Sequence, residues 1–596
     1  MMDALQQAVQ LLQAGRADEA EAVLDRVLAQ TPDQPDALHL RGMARGRLGR
    51  FEAGAADLER AAGLHPQPHA VWSNLGNLRR RAGDPVAAIE AYRQALQLMP
   101  GFVDARFNLG VALYESGEAD AAREAFEGVL AAMPQHAGAL NGLGNLSSRA
   151  GELDRAVDFY AKAVAAAPSV TQFRINHAAT LRNTRRADES LRHIDIVCRQ
   201  APDLAEAHYQ RGHTLRMLGR TSEAHNAYRR AIDLAPLRTD IHKDLANLLW
   251  EMGRGSNAAA AMREVLSRTP SAELFEALGQ FELLSGQPEA AAVAFAAALE
   301  QEPQRASAMS RLGVAQLHTG EGERGLQSLR QALTVSGGRD FAIRHSLAEA
   351  CLSAGLVEEA VAVLDADPPP EHLQKHVALQ ATAWRCAGDQ RYLQFYDYDR
   401  FTEKRRISTP PGYASLDAFN ADLSACIARL HATEAHPIEQ TLFGGTQSPG
   451  RLWNSDEPVI QALAGALMEA AQAFVADLPD DPEHPFLARK SAQLELAGAW
   501  SVRLRSGGGH VDHYHPAGWI SASYYVQVPE SVMAGERAGW LRLGAPGIAG
   551  LHLPAERYIK PEPGTAIFFP SYMWHGVEPF ESDEIRVTAP FDLLPV

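Results

Sequence analysis

The chain has 596 residues, 46% of them hydrophobic and 22% charged, with a formal net charge of −17 at pH 7. That length is too great for one compact core, so several domains or a repeat array are expected. The acidic balance excludes a nucleic-acid footprint, which needs clustered Lys and Arg, and the composition is that of ordered protein.

Four cysteines, Cys198, Cys351, Cys386 and Cys426, lie far apart with no C-x-x-C pair. Neither a disulfide framework nor a zinc knuckle is indicated, and a reducing interior suits them. The opening residues lack a basic segment followed by an apolar core, and no stretch reads as the roughly 20 apolar residues a bilayer span needs. A cytoplasmic protein without membrane contact is expected.

From the N-terminus the chain repeats itself. Prolines recur every 34 residues from Pro32 through Pro66, Pro100, Pro134, Pro168, Pro202 and Pro236 to Pro270. Glycines keep the same step at Gly15, Gly49, Gly83, Gly117 and Gly151, return at Gly219 and Gly253, and continue with one-residue slips to Gly388. A third series, Gly42, Gly76, Gly110, Gly144, Gly212, Gly279 and Gly313, marks a small residue inside each first helix. The period describes a helix pair: the inner small residue lets the helices approach, the second glycine turns the chain, and proline stops the second helix. In WSNLGNLRRRAGDPVAAIEAYRQALQLMP the order W, L-G, A, Y, A-L, P resembles the tetratricopeptide repeat. The resemblance implies a right-handed superhelix of ten or eleven pairs over residues 1–390, degraded near Pro368 to Pro370. Asn74, Asn108 and Asn176 share one repeat phase, interrupted by Gly142. In such repeats that phase lies on the inner helix face, where an amide can pair with both the N–H and the C=O of a bound protein or peptide; ordinary solvated asparagines are the alternative.

After Gly388 the period stops, and residues 391–596 read as a second domain. LDAFNADLSACIARLHA and SDEPVIQALAGALMEAAQAFVADL have helical spacing, the latter with Ser455 as its expected cap, and LFGGTQSPGRLW between them reads as a loop. From Leu494 the pattern is β. AWSVRLR alternates and is expected to end at Gly507 to Gly509; WISASYYVQV, WLRLG, RYIK, TAIFFP, HGVEPF and IRVTAPF follow at the short intervals of a sandwich or barrel. Trp519, Tyr524, Tyr525, Trp540, Phe568 and Phe569 read as packing, although Tyr525 has the strand parity to reach the lumen.

Within this domain the histidines have a spacing that suits metal ligands, which must converge. Residues i and i+2 of a strand share a face, so His513 and His515 form one pair, and His510 and Asp512 another on the opposite face. His575, after the strand TAIFFP, can supply a third ligand, and Arg586 and Thr588 follow on one strand face. The segments HYHPAGWISASYYVQVP, GWLRLG, PGTAIFFPSYMWHGVEPF and RVTAPF resemble the 2-oxoglutarate- and Fe(II)-dependent oxygenases, in the branch with H-x-H-P before a Ser-x-x-Tyr-Tyr strand. That resemblance covers roughly the last 200 residues and implies a double-stranded β-helix (jelly roll) with flanking helices. It implies that His513 and His575 bind iron and that Arg586 pairs with the far carboxylate of 2-oxoglutarate, with Thr588 adding a hydrogen bond. It also puts His515 where most of the superfamily has a carboxylate; H-x-D spelled literally gives His510 and Asp512 instead. The whole reads as an α + β multidomain protein, a repeat solenoid joined to a dioxygenase that uses Fe(II), 2-oxoglutarate and O2, with ascorbate as an optional supplement. The substrate would be a protein or peptide side chain held by the repeats. The alternatives are a non-catalytic repeat adaptor with a degenerate oxygenase domain and a three-histidine cupin-like metal enzyme that does not use 2-oxoglutarate.

Overall fold

The computed structural model describes residues 2–431, 441–448 and 452–596. The chain divides into two compact units, Met1–Ala235 and Pro236–Val596.

In the first unit seven helix pairs follow one another, from Met2–Gln13 with Ala17–Gln30 to Ala205–Met217 with Thr221–Leu234. The small-residue series sits where the helices touch. A Cβ on Gly76 would lie 2.5 Å from the Tyr92 ring, and one on Gly110 2.7 Å from Phe126, each 16 residues on in the partner helix. The turn series holds the left-handed conformation at φ +70° to +82°, from Gly15 to Gly219. Where the step lacks its glycine stands Arg185, exposed, at φ +60°. A Cβ there meets the following carbonyl, so Arg185→Gly is expected to raise the unfolding free energy by about 1 kcal/mol after the entropy cost of glycine. An unchanged chemical-denaturation midpoint would refute this.

The second unit continues the repeats through Phe341–Ser353, Val357–Val363 and Leu373–Ala387, the last capped by Gly388 at φ +71°. Ten strands follow: β1 (Glu403–Arg406), β2 (Leu442–Gln447), β3 (Leu494–Ala499), β4 (Val502–His513), β5 (Ile520–Gln527), β6 (Leu541–Leu543), β7 (Arg557–Ile559), β8 (Thr565–Pro570), β9 (His575–Val577) and β10 (Arg586–Pro595). They pair antiparallel in the order β1-β8-β5-β10-β4-β9-β6-β7, with β2 on β4 and β3 on β10. This near-closed sheet is consistent with the expected jelly roll. Helices flank it as expected: Asn420 of Leu416–Leu430 accepts a 2.6 Å bond from Tyr524, and Phe474 of Pro458–Asp477 stacks on Phe568 at 5.2 Å.

Four sequence expectations need correction. LFGGTQ is strand β2, not a loop; its two glycines hid the pattern. Gly507 to Gly509 do not end β4 but lie within it. Bare backbone there lets neighbours close in, since a Cβ on Gly508 would meet the Gly444 carbonyl and one on Gly509 the Val577 carbonyl, each at 2.7 Å. Ser455 does not cap the helix that follows; Glu457 occupies that position and Pro458 begins the helix. That helix, Pro458–Asp477, is long and apolar enough to cross a membrane by length and composition, but one face of it, with Ile460, Leu463 and Leu467, is buried in the core of the unit.

Candidate metal centre

β4 and β9 pair so that His513 lies directly opposite His575. His515, just past the end of β4, is anchored by its backbone N–H donating to the Ser571 carbonyl at 2.9 Å. The ligand atoms of His513, His515 and His575 lie within 4.8 Å of one another, and this trio can hold a metal ion. Each ring is oriented by its other nitrogen. His513 Nδ1–H donates to the Val511 carbonyl at 2.8 Å, His575 Nδ1–H to the Met573 carbonyl at 2.9 Å, and His515 Nδ1–H to Asp592 Oδ1 at 2.5 Å. Protons on all three Nδ1 atoms leave three Nε2 lone pairs for a metal, the arrangement metal-binding histidines adopt. His513 Nε2 and His515 Nε2 are only 3.3 Å apart, close to the roughly 3 Å between two nitrogens each about 2.1 Å from one ion. Burial pushes the His513 pKa down to about 3 and that of His575 well below its ordinary value, with the neighbouring imidazoles adding to both. Neutral rings are the ligating form.

Asp512 is not part of this trio. Its carboxylate is gripped bidentately by Arg542, at 2.8 and 2.9 Å, and Arg542 also reaches Glu578 at 3.0 Å. His510 departs from the expected alternation: the β4–β9 register shifts between His510 and His513, so both face one cavity. Strict period-2 counting fails across an irregular ladder.

The cavity, of 290 Å³, is walled by His510, the three histidines and one face of β10. Arg586, Thr588, Pro590 and Asp592 alternate into it, with Ser523 and Tyr525 from the neighbouring β5. Arg586 is 2% exposed, and its guanidinium lies 5.1 Å above the Tyr525 ring. It forms no ion pair with a described carboxylate, and its Nε and the Tyr525 hydroxyl, both buried, lack hydrogen-bond partners. Burial lowers the Arg586 pKa and raises that of Tyr525. An uncompensated buried charge is costly, which fits a wall built to receive an anion. Phe569, read as packing, also lines the cavity, 4.7 Å from the His575 ring. Trp519, Tyr524 and Phe568 are fully buried in the core, and Trp540 is half-buried.

Sequence reading missed Asp592 and Ser521 behind His515; the two-residue step from Arg586 through Thr588 and Pro590 was the signal. It also missed the backing. Side chains next to the ligands alternate to the opposite face, so Tyr514 and Trp574 turn outward, edge to face at 5.1 Å. Trp574 Nε1–H donates to Thr382 Oγ1 at 3.0 Å in the last repeat helix, while Arg385 of that helix donates to the Gly544 and Pro554 carbonyls. One hydrophobic core runs from Leu326 to Leu593 through both regions. Thr382→Val leaves the buried Trp574 N–H with only a 3.4 Å contact to the Ala378 carbonyl, which should lower the unfolding free energy by about 1–3 kcal/mol. Parental thermal unfolding would rule this backing out.

The asparagine series lies in the first unit, away from these residues in sequence and half-buried. The Asn74 amide is 2.8 Å from His39 Nε2, and Asn176 donates to Asn141 at 3.0 Å, each reaching back 35 residues to the preceding repeat.

Comparison with known proteins follows the same division. Residues 498–592 match the family described as "Putative 2OG-Fe(II) oxygenase". Tetratricopeptide-repeat families match 5–67, 39–102, 79–146, 113–174, 209–273, 243–295 and 277–340. No curated protein matches the chain. Similar solved structures include a tetratricopeptide repeat protein from Parabacteroides merdae, 18% identical, covering 41% of this chain and 98% of its own at a TM-score of 0.32. A thermophilic repeat protein from Thermus thermophilus is 24% identical, covering 30% and 98% at 0.26. YrrB, titled a repeat protein with an unusual peptide-binding site, is 22% identical, covering 31% and 96% at 0.28.

Proposed function

We propose that this chain, which carries tetratricopeptide repeats and an oxygenase domain of the 2OG-Fe(II) type, is a 2-oxoglutarate-dependent dioxygenase that hydroxylates a protein or peptide. The carrying observation is one cavity that combines three converging Nε2 lone pairs with a buried Arg586 that pairs with no described carboxylate. The donor set fits a divalent ion of the first transition row, for which imidazole is a suitable ligand, and a buried guanidinium with no carboxylate partner among the described residues fits a dicarboxylate co-substrate.

In this reading His513, His515 and His575 hold Fe(II), with residues 391–596 as the oxygenase domain. Iron with 2-oxoglutarate and O2 supplies oxidative decarboxylation to succinate and CO2, coupled to insertion of oxygen into a substrate C–H bond; ascorbate is an optional reductant. Arg586 grips the far carboxylate of the co-substrate with its fork, Thr588 and Tyr525 offer hydroxyl hydrogen bonds beside it, and Phe569 and Leu541 exclude water. Arg586 also argues against a cupin-like enzyme without 2-oxoglutarate, which would have no anion to offset it. Turnover separates the enzyme from an adaptor: purified protein supplied with Fe(II), 2-oxoglutarate and O2 is expected to release succinate. Iron bound without 2-oxoglutarate binding or succinate release would overturn the assignment.

The repeats are the proposed substrate holder, inside the cell, with Asn74, Asn108 and Asn176 as backbone-pairing amides. Two of them already bond to the preceding repeat, so binding must share or displace those contacts. If each amide contributes on the order of 1 kcal/mol, the triple Asn→Ala variant should raise the apparent KM for a protein substrate by on the order of 100-fold. A parental KM would place the substrate elsewhere.

A further inference from the structure

The carboxylate behind His515 has a role that the three-imidazole reading leaves open. Iron oxygenase sites of this general kind combine two histidines with one carboxylate, so that the protein supplies a negative charge at the metal. Three neutral imidazoles lack it. Asp592 lies at the inner end of the β10 face that carries Arg586 and Thr588, with only 11% of its side chain exposed. Its Oδ1 accepts from His515 Nδ1 at 2.5 Å and from Ser521 Oγ at 2.7 Å. Ser521 Oγ lies 2.9 Å from Ser571 Oγ and 3.0 Å from His515 Nδ1. Ser571 in turn carries, through its backbone carbonyl, the N–H of His515. No Lys or Arg pairs with Asp592 among the described residues, and the one imidazole it hydrogen-bonds is that of His515. The carbonyl partners of His513 and His575 are neutral, which makes His515 the one ring of the three with an anion behind it.

We propose that Asp592 is a positioning residue that supplies the missing negative charge through His515. It fixes the Nδ1–H tautomer, aims Nε2 at the metal and raises the donor strength of the ring, so the Asp592–His515 pair does jointly what a single ligating carboxylate does elsewhere. Ser521 and Ser571 hold the carboxylate in register. This inference rests on the proposed metal site and adds to it a specific division of labour between ligand and charge.

The test uses full-length protein titrated with Fe(II) and with Co(II), whose visible absorption reports ligand geometry, against a competing chelator. Asp592→Asn keeps shape and removes charge; it is expected to weaken metal binding by about 10- to 100-fold and to alter the Co(II) spectrum at saturation, with metal-free thermal unfolding close to the parent's. Moving the charge to the metal gives a second arm. His515→Asp alone sets two carboxylates against each other and should bind poorly, whereas His515→Asp with Asp592→Asn should recover affinity to within about 10-fold of the parent. If Asp592→Asn does not fold, Ser521→Ala takes its place, with a weakening of about 3- to 10-fold expected from a loosened carboxylate. Affinity within about twofold of the parent and an unchanged Co(II) spectrum, in whichever of these variants folds, would overturn the proposal. So would a double variant that binds no better than His515→Asp. A parent chain that binds neither ion would instead overturn the metal site itself, which keeps the two failures apart.

Discussion

Alanine at His513, His515 or His575 will remove Fe(II) binding, with affinity falling further than the roughly 10- to 100-fold that losing a ligand's supporting partner costs, while Asp512→Ala will retain it. The contrast follows from where the side chains go. Three Nε2 atoms converge and their Nδ1 atoms are already engaged, so truncating one ligand leaves two nitrogens and an open site. Asp512 faces Arg542 on the other side of β4, and its loss leaves Arg542 paired with Glu578. Some loss of stability is expected from Asp512→Ala, but not of metal. Metal content after anaerobic loading, measured beside thermal unfolding, separates the two. Iron retained by His515→Ala and lost by Asp512→Ala would return the site to the His510 and Asp512 pair.

Arg586→Gln will weaken 2-oxoglutarate binding by about 30-fold or more, corresponding to the roughly 2–5 kcal/mol lost when one partner of a buried ion pair is removed, and will leave metal affinity near the parent's. The side chain is 2% exposed and pairs with no described carboxylate, so its charge is uncompensated until an anion arrives. For that reason the metal-free variant should unfold no more easily than the parent, although it loses the stacking on Tyr525. Arg586→Lys keeps charge without the bidentate fork and should fall between the two. Calorimetric titration of 2-oxoglutarate into metal-loaded protein measures each case, and an unchanged affinity would remove Arg586 from the site.

The 34-residue period ends near residue 390 and the oxygenase motifs all follow it. Thr382, Arg385 and the core around Trp384 nevertheless support Trp574 and the Gly544 loop, and the second compact unit begins at Pro236. Removing residues 1–390 would strip the wall behind the ligand strands, so the minimal fragment worth testing begins at 236.

Repetition and local sterics are what the sequence determined by itself. The glycine and proline series located the helix pairs and their turns because a left-handed φ and a close helix approach each demand one residue type, wherever the neighbours are. His513, His515, His575, Arg586 and Thr588 could be singled out because short motifs around them resemble a known family, and the sheet brings all five to one cavity. Tertiary structure alone decided what depends on two segments meeting. His510 joins the cavity because the β4–β9 register slips, Asp512 leaves it because Arg542 comes from another strand, and Asp592 reaches His515 across 77 residues. A charge or an imidazole acts over a few ångströms of space, and distance along the chain carries no record of that until the sheet closes.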